Sequence, residues 1–323
     1  MKAILCKELG PPSKLVLEDI PSPKPGKKEV LVQIKACSIN FPDTLIIQGL
    51  YQFKPELPFS PGSDIAGIVR AVGEGVKHLK VGDEVFGLVS HGGFAEEVLV
   101  PSNSCFPKPP MMDYKIAASF MMAYGTSYHA LKDRAKLKEG ETLLVLGASG
   151  GVGLAAVELG KIMGAKVIAA ASTAEKLAIC KEKGADELIN YTAEDLKERV
   201  KELTGGKGAD VVYDPVGGAY TEAALRATAW EGRFLIVGFP AGIAKIPMNL
   251  PLLKGCQIVG VFWGSFAMRD PQRNMANTME LIQMYAKGQL KPHIHATYSL
   301  EDAPKALEEM MNREVKGKVI IEP

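Results

Sequence analysis

Residues 142–153, reading Thr-Leu-Leu-Val-Leu-Gly-Ala-Ser-Gly-Gly-Val-Gly, run from a short apolar stretch into a glycine-rich turn. The apolar stretch predicts a buried strand. Residues 154–163 resume with helical apolar periodicity, and a second strand-like run, 166–170, follows at βαβ spacing. Ala148, Gly150 and Gly153 keep the spacing of a dinucleotide-binding turn, with alanine in the first place. Gly150 would let the backbone approach a pyrophosphate, and Gly153 would let the helix pack closely on its strand. The helix N-terminus would offer N–H groups to the anion. Ser149, Gly151 and Val152 complete the turn. The alternative is a tight turn with a purely structural role.

At 323 residues the chain is long enough for two domains with separate cores. The first 110 residues predict many short strands, at 3–6, 15–19, 29–36, 65–72, 84–88 and 95–101, separated by Pro/Gly punctuation. That texture predicts a small barrel or sandwich. Helical periodicity covers 114–132, after which strands and helices alternate. The predicted strands are 142–147, 166–171, 187–189, 209–213, 233–237 and 257–261. The intervening helices are 151–163, 174–183, 193–203 and 219–227. Helices at 275–286 and 303–313 and a strand at 318–321 follow. The last strand has no place in a six-stranded parallel sheet, so it is expected to return and complete the first domain.

A formal net charge of +1 gives no electrostatic case for nucleic acid or an acidic membrane surface. Five dispersed cysteines without a Cys-x-x-Cys pair predict reduced thiols in the cytoplasm. No targeting or membrane-spanning segment is visible, which predicts a soluble protein.

The choice of dinucleotide is written about 20 residues after the turn, where an acidic residue would hold the ribose 2′-hydroxyl of NAD. Ala170-Ala171-Ser172-Thr173 stands there instead. Ser172, Thr173 and Lys176 supply hydroxyls and a cation suited to a 2′-phosphate, so NADPH is the expected cofactor. A helix-capping role for Ser172 is compatible with that reading.

Several ordered segments carry a resemblance to a known family. They include Ala36-Cys37-Ser38-Ile39-Asn40-Phe41-Pro42-Asp43, Pro61-Gly62-Ser63-Asp64-Ile65-Ala66-Gly67, Val81-Gly82-Asp83-Glu84-Val85, Gly92-Gly93-Phe94-Ala95-Glu96 and Gly184-Ala185-Asp186. With the inserted Ala-x-Gly-Gly-x-Gly turn, the whole chain resembles the medium-chain dehydrogenase/reductase superfamily, in its quinone oxidoreductase (ζ-crystallin-like) branch. The resemblance implies a GroES-like β-rich catalytic domain, 1–121 completed by 265–323. Inserted in it would be a doubly wound parallel-sheet (Rossmann) dinucleotide-binding domain, 122–264.

Zinc-dependent members of the superfamily place a cysteine ligand where this chain has Asn40, and Gly-His-Glu where it has Gly62-Ser63-Asp64. A third ligand falls near Met122, and Cys105 stands alone in the region of their structural zinc lobe. Zinc needs several thiolate, imidazole or carboxylate ligands in close array, so no metal is expected. An acceptor that is already electrophilic is then the expected substrate: a quinone, an enone or an enoyl thioester.

Within the resemblance, Asn40, Asp43, Tyr51 and Thr126 would lie around nicotinamide and acceptor. Tyr51 would bind or protonate the acceptor oxygen, and Thr126 would contact the nicotinamide ribose or amide. Tyr191 would pack near the adenosine phosphate. Gly217, Gly238 and Phe262 would line the cofactor groove, with Phe239, Phe262 and Trp263 as apolar walls. Plainer roles stay open: Asn40 and Asp43 as turn formers beside Pro42, Tyr51 as an edge-packing aromatic, and Phe262 and Trp263 as core or dimer-interface residues. His129, His293 and His295 read as structural.

The chain departs from quinone reductases at Asp43-Thr44-Leu45-Ile46-Ile47-Gln48-Gly49-Leu50-Tyr51, which lacks their tyrosine and arginine. That leaves room for a more apolar acceptor. A 2-enoyl-CoA reductase and a non-catalytic NADPH-binding structural protein are the competing readings. A homodimer paired through the edge strand ending at Val261 is expected.

Overall fold

The structure, a computed structural model, describes all 323 residues and divides into two units, Met1–Met122 with Pro292–Pro323, and Ala123–Lys291. The first unit opens with the antiparallel pair β1 (Lys2–Leu5) and β2 (Val16–Asp19). Its spine is β3 (Glu29–Ile39), rich in β-branched and aliphatic residues and almost entirely buried. The turn after β3 starts the short α1 (Phe41–Ile46), with Pro42 in its first turn, where a missing N–H costs nothing. Then follow β4 (Asp64–Val72), β5 (Glu84–Leu88), β6 (Glu97–Pro101) and β7 (Cys105–Pro107). Antiparallel pairing joins β3 to β4, β4 to β5 and β5 to β7, with β6 on the other edge of β3.

The 114–132 helix is broken. It forms α2 (Tyr114–Ala118), α3 (Met121–Tyr128) and a π-helical turn over His129–Arg134. Ser119 makes the break by turning its hydroxyl back onto the Ile116 carbonyl at 2.8 Å.

In the second unit the chain runs β8 (Thr142–Val145), α4 (Gly151–Ile162), β9 (Lys166–Ala171), α5 (Ala174–Glu182), β10 (Glu187–Asn190), α6 (Leu196–Leu203) and β11 (Ala209–Asp214). It continues through α7 (Tyr220–Arg226), β12 (Thr228–Ile236), α8 (Asn249–Lys254), β13 (Gln257–Gly260), α9 (Trp263–Arg269) and α10 (Pro271–Ala286). The six strands are all parallel, in the order β10-β9-β8-β11-β12-β13. The order reverses between β8 and β11, and in such sheets ligands bind beyond the strand ends at that reversal. The glycine-rich turn follows β8 there. α6 starts later than the pattern suggested, because the Asp195 carboxylate caps it by accepting from Glu198 N at 2.9 Å. β12 begins earlier than residue 233, at Thr228 beside Ala209, with a register shift before Arg233.

The chain ends in β14 (Ile294–Ser299), α11 (Ala303–Met311) and β15 (Lys318–Glu322). β15 pairs antiparallel with β3, setting Val319 opposite Ile39 and Ile321 opposite Cys37, so the last strand does complete the first unit.

The second junction corrects the expected boundary after Gly264: it falls after Lys291. Residues 265–291 stay with the parallel sheet because α10 grips the π-helical turn through a polar network. Arg273 and Asn277 both donate to the Asp133 carboxylate, at 2.5 and 2.9 Å, and Lys132 donates to Glu280 at 2.6 Å. Sequence periodicity did not reveal α1, α8, α9, β7 or β14, all of them short.

Candidate active site

In the second unit, backbone geometry defines the site. Gly147 closes β8 in the left-handed region (φ +53°), and a Cβ at Gly153 would lie 2.3 Å from the Gly147 carbonyl oxygen. Glycine at 153 is therefore demanded by the fold. Gly150 differs: a Cβ there would meet only the Gly147 oxygen, at 3.5 Å, an ordinary contact. Packing does not require glycine at 150, so the bare backbone at the start of α4 is available to a ligand. Ala148 and Ser149 are buried, while Gly150, Gly151 and Val152 are half-exposed. The twelve-residue α4 points its first-turn N–H groups at this place.

At the end of β9, Lys176 Nζ lies 3.4 Å from Ser172 Oγ. Thr173, and not Ser172, caps α5, accepting from Lys176 N at 3.3 Å. Ser172 keeps its hydroxyl toward the lysine. Tyr191 packs on Tyr220 with ring centroids 4.3 Å apart. Gly217 takes φ +71° and is buried after β11, where the Asp214 carboxylate accepts from its N–H at 2.9 Å. Gly238 follows β12, facing the Pro215 carbonyl. Thr126 is half-buried on α3.

The aromatic walls divide. Phe239 and Phe262 are exposed, at 45 % and 55 %. Trp263 is corrected to a core residue: it is 4 % exposed, packs on Gly125 and donates Nε1 to Asn274 Oδ1 at 3.0 Å. His129 is held by structure too, stacked on Phe266 at 3.9 Å and bonded through Nδ1 to Asp133 at 2.8 Å.

In the first unit, buried side chains define the site. β3 ends at Ile39 and delivers Asn40, whose N–H donates to Asp43 Oδ2 at 2.7 Å, fixing the start of α1. Asn40 is 7 % exposed and Asp43 1 %. Burial pushes the Asp43 carboxyl up to about 7. Tyr51, half-buried, packs on the same core, and burial followed by the nearby Asp43 charge raises its phenol above the usual value of 10.0. The aliphatic stretch between them is only partly an opening, since Ile46 and Ile47 enter the core. Leu50 stays exposed at 67 %.

Sequence reading missed the partners of Asn40. Lys318, on β15, is buried, and its ammonium donates to Asn40 Oδ1 and to the Ile39 carbonyl at 3.2 Å. Asp64, fully buried at the start of β4, lies 3.9 Å from that ammonium through Oδ2. The same Oδ2 accepts from Ser38 Oγ and Met122 N, each at 3.3 Å. Burial raises the Asp64 carboxyl to about 6 and lowers the Lys318 ammonium. Asp64 Oδ1 and Ser63 Oγ are buried without a partner. The only sequence signal was a lysine heading the apolar run 319–321 of the final strand.

Comparison with known proteins now bears on these two sites. Residues 26–110 match the alcohol dehydrogenase GroES-like domain family, and residues 151–283 match the family described as zinc-binding dehydrogenase. The chain is 42 % identical to quinone oxidoreductase-like protein 2 homolog of Nematostella vectensis, over 99 % of this chain and 88 % of that one. It is 34 % identical to quinone oxidoreductase of Homo sapiens, over 99 % and 97 %. Escherichia coli quinone oxidoreductase, solved in complex with NADPH, superposes with a TM-score of 0.95 at 31 % identity, both chains covered completely. The chain belongs to the medium-chain dehydrogenase/reductase superfamily, in its quinone oxidoreductase branch. Its fold is that of the branch, a GroES-like domain with a Rossmann-type parallel sheet.

The description zinc-binding implies a metal that the donor set here does not fit. No group of three His, Cys, Asp or Glu side chains is placed to hold an ion. Of the positions compared with the catalytic zinc ligands, Asn40, Ser63, Asp64 and Met122, Asp64 alone offers an ionisable ligand, and it faces the Lys318 ammonium. No helix is long and apolar enough to cross a membrane.

Proposed function

We propose that the protein is an NADPH-dependent reductase of small electrophilic acceptors, quinones or α,β-unsaturated carbonyls. The observation that carries the reading is the Lys176 ammonium beside the Ser172 hydroxyl at the end of β9, where an NAD enzyme would hold a carboxylate. The NADPH bound by the Escherichia coli relative supports it. When bound, the cofactor supplies a hydride from nicotinamide C4. The chain's own groups bind and orient. The α4 N-terminus and Gly150 cradle the pyrophosphate, Ser172, Thr173 and Lys176 hold the 2′-phosphate, and Tyr191 packs by the adenosine. Thr126, Gly217, Gly238, Phe239 and Phe262 serve the nicotinamide half.

On the acceptor side, Asn40 and Asp43 orient, and Tyr51 keeps its proton at neutral pH and donates it toward the acceptor oxygen. The aliphatic stretch before Tyr51 suits apolar acceptors.

NADPH oxidation followed with a panel of quinones, enones and enoyl-CoAs tests the reading. Turnover of quinones or enones is expected. Lys176→Ala should raise KM for NADPH about tenfold, as for losing about 1.4 kcal/mol of phosphate binding, and leave KM for NADH unchanged. An equal rise in both, or silence across the panel despite tight NADPH binding, would sink it.

A homodimer is part of the proposal. β13 is an edge strand, exposed Leu252, Leu253 and Met268 lie on the helices that flank it in sequence, and exposed Trp230 lies on β12, its neighbour in the sheet. Sedimentation should give two copies for the wild type and one for Leu252→Glu/Leu253→Glu. A monomeric wild type would end that reading.

A further inference from the structure

Six arginines stand in the parallel-sheet unit, and they divide evenly. Arg199, Arg226 and Arg233 each pair with a glutamate at 2.6–2.7 Å. Arg134, Arg269 and Arg273 instead line one open cavity of about 340 Å³ at the end of β13. The place is separate from the glycine-rich turn, since β11 and β12 lie between β8 and β13.

Each cavity arginine is held by one edge. Arg134 donates Nε to the Gly260 carbonyl at 3.0 Å, and Arg269 donates Nε to Ser265 Oγ at 3.1 Å. Neither pairs with a carboxylate, so both Nη groups of each are left over. Arg273 gives one Nη to Asp133 at 2.5 Å and lies over the Phe266 ring. Anchoring of this kind sets the direction of a guanidinium and leaves its fork for another partner.

Asp133 is the single carboxylate lining the cavity, and it is buried beneath donors from His129, Arg273 and Asn277. Asp270 lies outside the lining and caps α10, accepting from Arg273 N at 3.2 Å. Three guanidinium cations against one carboxylate leave two positive charges unmatched. A concave surface lined by one sign of charge gathers ions of the other. His129 also lines the cavity, at 5 % exposure. Its Nδ1 faces the Asp133 carboxylate and carries the ring proton, so Nε2 remains an unbonded acceptor. Asp133, Arg134 and Arg273 are the charged groups facing that ring.

We propose that this cavity binds the phosphoryl group of a small organic phosphate, gripped by Arg134, Arg269 and Arg273. A phosphoryl group presents three oxygens in three directions, whereas a carboxylate offers two in one plane and satisfies one fork. It titrates at a pH of about 6, so it can also bring a proton to His129 Nε2, which sulfate cannot. Exposed Phe262 and half-buried Phe266 give apolar surface to the organic part. The proposal stands apart from the reductase reading.

The test is calorimetric titration of the full chain with pyrophosphate, with and without saturating NADPH. Wild-type binding is expected in both, and loss under NADPH would place the anion at the glycine-rich turn and overturn the proposal. Arg134→Gln/Arg269→Gln should bind about 10²-fold more weakly, with Tm and NADPH affinity unchanged, while Arg226→Gln binds as wild type. Should the glutamine pair not fold, Arg134→Lys/Arg269→Lys keeps both charges and should still bind weakly. Unchanged affinity in the variant that folds would overturn the proposal, as would sulfate binding as tightly as phosphate.

Two further arms fix the source. Coenzyme A bound more tightly than its 3′-dephospho form would put the phosphoryl group on a thioester, and equal binding would put it on a free organic phosphate. Pyrophosphate bound only by Leu252→Glu/Leu253→Glu would mean that a second copy fills the cavity, against the proposal.

Discussion

The two candidate sites, one in each unit, are built from opposite materials. The turn after β8 is backbone: bare glycines and helix N–H groups drawn from one contiguous stretch. The cluster around Asn40 is side chain: Asn40 between β3 and α1, Asp43 on α1, Asp64 on β4 and Lys318 on β15, all of them buried. A backbone site binds through groups every residue carries, so it depends on where side chains are missing. A buried polar site depends on each partner being present, since removing one leaves the others unsatisfied.

Mutation should expose this contrast. The largest effect is expected at Gly153→Val, where the new side chain would run into the Gly147 oxygen and Ala148 Cα. Overpacking there should cost about 3 kcal/mol by urea denaturation and abolish measurable NADPH binding. Gly150→Ala sharpens the same point. It should fold with the wild-type Tm yet weaken NADPH binding about tenfold, or about 1.4 kcal/mol. Equal affinity would mean that no ligand approaches the backbone there.

Asp43 gives the pH signature of the other half. Its carboxyl is held up to about 7 in the fold against 3.8 unexposed to the fold's burial. The unfolded chain therefore loses this proton first as pH rises. Its contribution to stability is present at low pH, declines between those two values and is fully lost above the upper one. Asp43→Asn should remove that decline from a plot of Tm against pH, and an unchanged plot would show that the fold does not raise the Asp43 carboxyl. The smallest effect is expected at Thr173→Ala, which removes the α5 cap and should cost about 1 kcal/mol.

The same contrast explains what could be read from sequence. The turn at 147–153 and the strand–helix alternation around it were legible because each is a local pattern, and the return of β15 followed by elimination, since a seventh strand had no place in the six-stranded sheet. The Asp64–Lys318–Asn40 cluster was not, because its members lie far apart in the chain. β15 is buried on both faces and so shows no alternation to mark Lys318. The boundary after Lys291 was missed for a related reason: α10 is held by Asp133, a residue more than a hundred positions earlier. Trp263 was misplaced because an aromatic after a sheet strand reads the same whether it faces a ligand or Gly125.

β15 also orders events during synthesis. The parallel-sheet unit is one continuous stretch, Ala123–Lys291, and has all its strands before β14 and β15 are made. β3 and β4 are made earlier still, yet Asn40 waits for an ammonium that is translated 278 residues after it, and Asp64 waits for the same group. A chain stopped before residue 318 therefore has every residue of the parallel-sheet unit, while its Asp64 carboxylate has not yet met its counter-charge.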